Sequence, residues 1–329
     1  MSALAAKGDQ RADPPRSLPV VHVALATYNG RRWIEAQVRS ILRQEGVDVR
    51  LVISDDGSTD GTLEWLGDLA AQDPRVTLLP RREGPSGVGA NFLYALTHTK
   101  VAPGEFFALS DQDDLWRPDK LAHQINVMRE TGADAVSSNV YAFRQDRYGA
   151  VHKWVIRKDH PQTDWDFVFE APSAGSTFLL DFRAWNLVKT YLGNHGGAAV
   201  WLHDWFIYAL VRAAGMNWMI ETEPLVAYRQ HEDNELGAHR GLGAIASRFK
   251  NLRSGRYLDQ FIATHDAAMA VGIQEGRDAQ WLHRMSTLGA LLTDGSWRSR
   301  LGLLRQAKRI RRKPSEGVAL ALARVLRVW

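Results

Sequence analysis

Residues 106–116 read FFALSDQDDLW, and this stretch decides the fold. Its apolar first part predicts a buried strand, and the carboxylates of Asp111, Asp113 and Asp114 follow it at once. Ligands of α/β sheets bind where strands end, and clustered carboxylates repel each other unless a cation lies among them. The stretch therefore predicts a divalent metal that holds a phosphate-bearing substrate. The alternative is an acidic turn in which one aspartate caps the following helix.

Strand and helix patterns alternate along the first half of the chain. The predicted strands span residues 20–26, 49–54, 75–79, 105–110 and 133–143. The predicted helices between them span residues 31–44, 59–71, 87–99 and 118–131. This order predicts an α/β fold with a mostly parallel sheet and helices on both of its faces.

The second half of the chain is less regular. We predict strands over residues 174–181, 218–220 and 225–228, and helices over residues 182–191 and 203–214. Beyond residue 240 only helical patterns remain, including residues 257–271 and 278–292. The predicted organisation is a disordered tail over residues 1–19, an α/β domain over residues 20–240 and a basic helical region over residues 241–329.

The composition excludes several classes of protein. The 329 residues include no cysteine, which excludes disulfides and thiolate metal sites and favours a reducing compartment. Residues 1–19 lack the apolar core of a signal peptide. No window approaches the roughly 18 uninterrupted apolar residues of a membrane span. We therefore expect a cytoplasmic protein.

The C-terminal segment is strongly basic, although the net charge of the whole chain is only +4. From Arg298 onward, ten basic residues stand against one acidic residue, Glu316. We expect peripheral contact with the inner face of an anionic membrane; the alternative is a solvated helical face that packs on the core. The interspersed apolar residues are Leu301, Leu303, Leu304, Ile310, Leu320, Leu322, Val325, Leu326 and Trp329. Nucleic acid is not an expected partner, because no recognition motif is present and the acidic site would repel it.

Two further polar clusters follow predicted strands. Thr27, Tyr28 and Asn29 follow the first strand, and Asp55 and Asp56 follow the second. In a parallel sheet both clusters meet the acidic stretch at one edge. A carboxylate there can accept the N3–H of uracil or thymine, a donor that cytosine lacks, so we predict a nucleotide-binding site. The alternative for the two aspartates is an Asx turn with a helix cap.

A loop with two glycines precedes the third predicted helix. Gly87 and Gly89 allow backbone N–H groups to approach a nucleotide, and we assign Asn91 to the same donor site. A flexible connection is the alternative. The loop lacks the Lys-Ser/Thr ending of a P-loop, and no GxGxxG motif follows the first strand, so NTP hydrolysis and a dinucleotide fold are not expected.

Three residues of the second half are candidates for chemistry. Asp204 opens a predicted helix and is either a general base for an acceptor hydroxyl or a helix cap. His231 is either a metal or diphosphate ligand, through its neutral imidazole, or a surface histidine. Arg229 either pairs with phosphate oxygens or is a solvated side chain.

Taken together, these motifs resemble the glycosyltransferase family 2 pattern. In order they are ALATYNG (24–30), VISDDGSTDGT (52–62), GVGANF (87–92), ALSDQDDLW (108–116), HDW (203–205) and YRQH (228–231). DQDDLW with HDW and YRQH is most similar to bacterial rhamnosyltransferases of surface polysaccharide and O-antigen assembly. The resemblance implies a GT-A fold, with a Rossmann-like sheet, and inversion at the anomeric carbon. The QxxRW motif and membrane helices of processive synthases are absent, so repeated polymerisation is not expected.

The resemblance also implies roles for the site residues. Asp55 would read the pyrimidine, and Asp111 would contact the ribose or the metal shell. Asp113 would be the main metal ligand with support from Asp114, while Asp204 would be the base. His231 would bind the metal or the diphosphate. Many relatives have Glu-Asp at the position of the HDW motif, so the neighbour of the base differs here.

The expected reaction follows from this resemblance. The donor would be a nucleotide sugar, dTDP-β-L-rhamnose, bound with Mg²⁺ or Mn²⁺. The acceptor would be a glycan hydroxyl, on a free glycan or on one linked to a polyprenyl diphosphate. The alternatives are the same chemistry with a UDP-hexose and a non-catalytic nucleotide-sugar-binding protein. A sugar nucleotidyltransferase would need a basic glycine-rich loop after the first strand, where this chain has residues 27–30, TYNG.

Overall fold

The computed structural model describes residues 17–145, 149–196, 200–231 and 252–329. Their strands are β1 (Val20–Thr27), β2 (Asp48–Asp55), β3 (Val76–Leu78), β4 (Phe106–Ser110), β5 (Leu115–Trp116), β6 (Ala135–Gln145), β7 (Val151–Ile156), β8 (Leu179–Asp181) and β9 (Trp218–Arg229). Their helices before residue 252 are α1 (Ile34–Leu42), α2 (Thr62–Gln72), α3 (Val88–His98), α4 (Lys120–Thr131), α5 (Asp166–Phe169), α6 (Phe182–His195) and α7 (His203–Ala213).

The described residues from 252 onward form helices as their regular elements, as predicted. These are α8 (Arg256–Gln274), α9 (Ala279–Thr293), α10 (Trp297–Arg305), α11 (Ala307–Ile310) and α12 (Pro314–Val325). Among the described residues, no helix is both long and apolar enough to cross a bilayer. The predicted tail falls mostly, and the predicted boundary near residue 240 entirely, outside the described residues.

The strands form one mixed, mostly parallel sheet, which confirms the predicted fold class. Its order is β3-β2-β1-β4-β8-β6-β9-β5, and β7 pairs with the C-terminal part of β6. β1 runs parallel to β2 and β4, β2 runs parallel to β3, and β6 runs parallel to β9. β8 runs antiparallel between β4 and β6. The carboxyl ends of β1, β2 and β4 therefore lie at one edge.

The core forms two layers, one on each face of the sheet. In β1, Val21, Val23 and Leu25 pack with the layer that contains α1 and α4, whereas Ala24 and Ala26 pack with α3, α6 and α7. This division follows from the two-residue period of a strand. Both faces are covered by helices, as the sequence predicts.

The C-terminal helices extend the second of these layers. The Phe261 ring in α8 contacts Phe169 at 4.9 Å and Trp205 at 5.5 Å between ring centroids. A buried ion pair, Arg312 to Asp166 at 3.0 Å, fixes the segment between α11 and α12 to α5. These helices and the sheet therefore share one hydrophobic core.

Two predicted strand regions differ from the structure. Residues 174–181 divide into a 3₁₀ turn, Gly175–Thr177, and the short β8. In the turn, the buried Ser176 hydroxyl donates to Asp114, which is distant in the sequence, and the Thr177 hydroxyl donates to the nearby Ala174 carbonyl. The strands predicted over residues 218–220 and 225–228 are one strand, β9, whose register shifts opposite residues 138–140. That irregularity accommodates Pro224, which cannot donate to a ladder.

Candidate active site at the carboxyl edge of the sheet

The polar clusters that follow β1, β2 and β4 lie together. Thr27 is the register partner of Asp55, and Leu25 is the partner of Ser110, which immediately precedes Asp111. The strand pairing therefore places the threonine, the Asp55 turn and the acidic loop over residues 111–114 at one edge, where ligands of such sheets bind.

The end of β9 is fastened to the acidic loop. His231 Nε2 lies 2.5 Å from Asp113 Oδ2, and the Arg229 guanidinium donates to the Asp113 carbonyl at 3.0 Å. The backbone N–H of Arg229 donates to Asp114 at 3.2 Å, and the Ser176 hydroxyl donates to its other oxygen at 2.7 Å. The structure thus brings the predicted ligands Asp113 and His231 into contact, while buried Asp114 supports them from behind.

Two carboxyl groups of the acidic loop have raised pKa values. Burial, together with the carboxylates of Asp113 and Asp204, raises the pKa of Asp111 to about 8. Burial, together with the carboxylates of Asp113 and Asp111, raises the pKa of Asp114 well above its usual range. A divalent cation would relieve this repulsion, and carboxylate oxygens with one imidazole form a donor set that binds Mg²⁺ or Mn²⁺.

The residues that the structure describes supply only part of a metal shell at this loop. Among the described residues, the ligand atoms of three metal-binding side chains come within 4.8 Å of one another only at His123, Glu221 and Glu223. That cluster is an ion-pair network, since His123 pairs with Glu221 at 2.8 Å and Arg117 pairs with Glu223. At the acidic loop the residues present fit an ion that also takes phosphate oxygens from its substrate, as Mg²⁺ commonly does.

Asp204 lies in the first turn of α7. Leu202 is the N-cap residue of this helix, so the aspartate is inside the first turn and not at the cap position. One of its oxygens accepts from the backbone N–H of Trp205 at 2.7 Å. Burial raises the pKa of Asp204 to about 6, although the positive charge of Lys158 acts to lower it. A carboxylate with such a pKa is suited to take a proton near neutral pH.

His203, the residue before this aspartate, points into the core. Its ring stacks on Phe92 at 3.8 Å between centroids, and its Nε2 is buried with no hydrogen-bond partner among the described residues. Burial lowers the pKa of His203 to about 3, so the ring is neutral. A Cβ at Gly175 would lie 2.6 Å from that nitrogen, so the glycine makes room for the ring. No pattern in the sequence indicates this packing role.

The side chains of Asp55 and Asp56 both make hydrogen bonds within the protein. Asp55 accepts from the backbone N–H groups of Gly57 at 2.9 Å and Ser58 at 2.8 Å, which is the geometry of an Asx turn. Asp56 pairs with Arg82 at 2.9 Å and accepts from the Gly87 N–H at 2.8 Å. Asp56 therefore anchors the glycine loop, and Asp55 shapes the turn that borders the site.

Asn91 lies behind the site. It is buried, donates to the carbonyls of Thr27 at 3.2 Å and Ser54 at 3.0 Å, and accepts from the Ser54 hydroxyl at 2.5 Å. These bonds tie the ends of β1 and β2 together. The structure thus gives Asn91 the position of a support for the donor site, and not a position at its surface.

Gln112 is a site residue that the sequence reading did not single out. Its Oε1 accepts from the Thr27 hydroxyl at 2.6 Å and from the Tyr28 N–H at 2.9 Å. A Cβ at Gly30 would lie 2.3 Å from the same oxygen, so this glycine is needed for the contact. The side chain of Tyr28 remains half exposed at the rim. The only signal in the sequence was the position of the glutamine inside the acidic loop.

Asn29 and Arg229, two further predicted site residues, are held in place by contacts within the protein. Asn29 adopts a left-handed backbone conformation (φ 48°), and its side chain accepts from the Thr59 N–H at 2.9 Å. The Arg229 guanidinium lies over Trp33 at 4.2 Å and over Phe143 at 4.6 Å. Arg229 is therefore an ordered cation beside the acidic loop.

The sequence of the chain matches known proteins over most of its length. The sequence model of "Glycosyl transferase family 2" matches residues 22–188. The chain is 35% identical over 236 residues to "dTDP-rhamnosyl transferase RfbG" of Shigella flexneri, which is 71% of this chain and 80% of that protein. It is 37% identical over 112 residues to "Putative teichuronic acid biosynthesis glycosyltransferase TuaG" of Bacillus subtilis, 34% of this chain and 43% of that one.

Solved structures share the fold. Full-length TarS of S. aureus superposes with a TM-score of 0.52 at 14% identity, over 94% of this chain and 53% of that one. Residues 1–349 of TarS in complex with UDP-GlcNAc give a TM-score of 0.50 at the same identity, over 94% of this chain and 88% of that one. At this identity the likeness concerns the GT-A-like fold alone.

Proposed function

The chain belongs to glycosyltransferase family 2, and from this premise we propose that it moves a sugar from a nucleotide-sugar donor to an acceptor hydroxyl with inversion at the anomeric carbon. One observation carries the proposal. Asp113 contacts His231, and the carboxylates of both Asp113 and Asp204 are close enough to Asp111 to raise its pKa. Donor-binding groups and a candidate base are thus near enough to act on one substrate.

For the donor we propose dTDP-β-L-rhamnose. The support is the 35% identity to a dTDP-rhamnosyl transferase over 71% of this chain. The pyrimidine would lie beside the Asp55 turn, with Thr27, Tyr28 and Asn29 at the same edge. Oδ1 of Asp55 already accepts from two backbone N–H groups, whereas Oδ2 accepts only from the Ser58 hydroxyl, so Oδ2 can still accept a hydrogen bond from the base. Asp56 and Asn91 would act by holding this edge in shape.

Asp113 and His231 would hold Mg²⁺ or Mn²⁺, with Asp111 beside them. The bound ion would neutralise charge on the diphosphate leaving group. Arg229, held between two aromatic rings, would pair with phosphate oxygens on the other side. Since the described part of the chain offers few ligands at this loop, we expect the ion and the nucleotide to bind together.

Asp204 would be the general base. The acceptor oxygen attacks the anomeric carbon from the face opposite the diphosphate, and its proton passes to the Asp204 carboxylate. The new glycosidic bond forms as the bond from the anomeric carbon to the diphosphate oxygen breaks, and the nucleoside diphosphate departs. From a β-L-rhamnosyl donor this gives an α-L-rhamnoside. The acceptor would be a glycan, free or linked to a polyprenyl diphosphate, in polysaccharide assembly.

A panel of nucleotide sugars tests the proposal. Thermal shift with Mn²⁺ should give the largest stabilisation with dTDP-β-L-rhamnose, less with UDP-sugars and none with CDP or GDP compounds. Slow hydrolysis of the stabilising donor, without acceptor, should accompany it. A larger thermal shift with a UDP-hexose would contradict dTDP-β-L-rhamnose as the donor. Binding of a nucleotide sugar without any hydrolysis would contradict the proposal that the protein is an enzyme.

A further inference from the structure

The last helix, α12, exposes an apolar stripe made of Val318, Leu322 and Leu326. These side chains are 38%, 43% and 73% exposed. They recur every four residues, so they lie along one face of the helix. The stripe is unusual because an amphipathic helix normally turns such a face to the core.

The stripe is not a frayed end. Arg327 adopts a left-handed conformation (φ 59°) that turns the chain back after the helix. Trp329 then packs on Phe261 at 5.2 Å, and its indole N–H donates to the Leu320 carbonyl at 3.0 Å. The final residue is therefore part of the core, and Leu326 is held outward by a defined turn.

The structure separates core residues from surface residues within this basic segment. Leu303, Ile310 and Trp329, which the sequence reading assigned to membrane contact, are buried in the core. Arg312 and Arg324 are also buried, where Arg312 pairs with Asp166 and Arg324 donates to the Leu292 carbonyl at 2.8 Å. The exposed apolar residues are Trp297 and the stripe on α12.

Trp297 lies at the same end of the helix pair as Leu326. Arg324 in α12 donates to the Leu292 carbonyl at the end of α9, and Ser299 in α10 donates to the neighbouring Leu291 carbonyl at 2.9 Å, so the C-terminal end of α12 lies near the start of α10. Gly317, at the other end of α12, lies so close to the Ala307 carbonyl that a Cβ would come within 2.0 Å of it. α10 and α12 are thus antiparallel, and the 65% exposed Trp297 adds a large ring at the Leu326 end.

The charge around the stripe is positive. The exposed cations of this segment are Arg298, Arg305, Lys308, Lys313 and Arg327. The exposed acids of residues 294–329 are Asp294, which accepts from the Ser296 N–H and hydroxyl, and Glu316, which pairs with Arg311. A second copy of this chain would bring the same positive charge to the interface, whereas anionic headgroups would offset it.

We propose that α10 and α12 dock the enzyme on an anionic phospholipid surface, with Leu322, Leu326 and Trp297 in the headgroup region and Arg298 and Arg327 on lipid phosphates. Apolar side chains flanked by cations are the features that bind an interfacial helix to such a membrane. The inference goes beyond the proposed function, because it concerns where the enzyme works and not what it transfers.

Vesicle flotation of the full chain tests this inference. The wild-type protein should float with vesicles of phosphatidylcholine that contain about one third phosphatidylglycerol, and much less of it should float with vesicles of phosphatidylcholine alone. Leu322→Glu with Leu326→Glu should lower the partition coefficient at least about tenfold, because two apolar contacts are replaced by charges that the surface repels. Leu63→Glu is the matched control, since Leu63 in α2 is 42% exposed, and it should leave binding unchanged.

The outcomes are distinguishable from those of the proposed function. Donor hydrolysis without vesicles should be equal in wild type and the double variant, which shows that the variant is folded. Equal flotation of wild type and the double variant, or no flotation of wild type, would overturn the docking face while leaving the transferase assignment intact. A wild-type dimer that the double variant converts to a monomer, without vesicle binding by either, would assign the stripe to self-association and overturn the proposal.

Discussion

At the scale of single residues, the proposed role of Asp204 predicts that the reaction depends on pH. Burial raises the pKa of Asp204 to about 6, and a general base acts in its deprotonated form. We therefore expect kcat/KM to rise with pH through about 6 and to level off above about 7. Initial rates of transfer across this range measure it. A rate that is flat or falls over the same range would contradict the assignment.

Replacing this carboxylate should separate catalysis from binding. Asp204→Asn keeps the size of the side chain but removes the base, so transfer should fall about 10² to 10⁴-fold. Nucleotide affinity should stay within about threefold of wild type, because the role proposed for Asp204 is to take the acceptor proton and not to bind the nucleotide. Initial rates and calorimetry measure the two effects. Turnover near the wild-type level would remove Asp204 from the mechanism.

The acidic loop should make the metal-free protein less stable as pH rises. The folded state holds protons on Asp111, whose pKa is raised to about 8, and on Asp114. A group whose pKa is raised on folding stabilises the fold below its unfolded pKa, near 3.9, and this contribution is lost as pH rises towards the folded value. With EDTA, the melting temperature should therefore fall between about pH 5 and about pH 8.

Two variants of the experiment sharpen this prediction. Mn²⁺ with a nucleoside diphosphate should restore stability more at the higher pH, since the ion replaces the bound protons. Asp113→Asn removes one of the repelling charges and should flatten the pH dependence in EDTA. A melting temperature that rises with pH in EDTA, or an equal slope in the variant, would contradict this account of the loop.

At the scale of elements, α3 closely approaches the segment before α7, which carries the proposed base Asp204. A Cβ at Gly89 would lie 2.6 Å from the Trp201 carbonyl oxygen and 2.8 Å from that of Val200. Because both neighbours are backbone atoms, Gly89→Ala should cost about 1–3 kcal/mol. Gly193→Ala in α6 is the control, since nothing lies within 4 Å of the added carbon. Equal unfolding free energies of the two variants would show that the approach is not tight.

The regular elements of the first half could be predicted because their signals are local. β1, β2 and β4 are apolar runs that end in polar turns, and the helices between them have one apolar side. β5, with two residues, is too short to give a pattern. β7 is an outer strand whose side chains are mostly exposed, so its alternation is weak. β8 runs antiparallel only because of its place between β4 and β6, which no local pattern encodes.

At the scale of the whole molecule, Arg312 joins the C-terminal helices to the rest of the core. Its guanidinium is buried and contacts Asp166 at 3.0 Å and Glu170 at 3.2 Å. Arg312→Ala would remove the nearest cation from two buried carboxylates, which keep only the longer contacts of Arg212 with Asp166 and of Arg311 with Glu170. We therefore expect a loss of about 3 kcal/mol in the free energy of unfolding. Denaturant unfolding measures it.

An exposed ion pair provides the matched control for this loss. Arg309 pairs with Asp164, and both side chains are more than a third exposed. Arg309→Ala should therefore cost at most about 1 kcal/mol. If both variants lose the same stability, the buried network does not hold the C-terminal helices as described.

The place of the site could be predicted from the sequence, but its supports could not. Asp55 and Asp111 end strands that a parallel sheet aligns, so topology alone brings them to one edge. The support that Gln112 gives to Thr27 joins positions far apart in the chain and depends on the fold. The buried, neutral state of His203 likewise depends on packing against Phe92. Such contacts leave no periodic pattern in the sequence.

Calorimetric binding of dTDP with and without Mn²⁺ tests the central claim most directly, because it examines the acidic loop without needing the acceptor. Wild type and Asp204→Asn should bind dTDP only with the ion, and Asp113→Ala should bind at least about tenfold more weakly, since it removes the main proposed ligand. Binding that is equally tight without Mn²⁺, or an Asp113→Ala protein that binds like wild type, would contradict the assignment of this loop as the metal-dependent donor site.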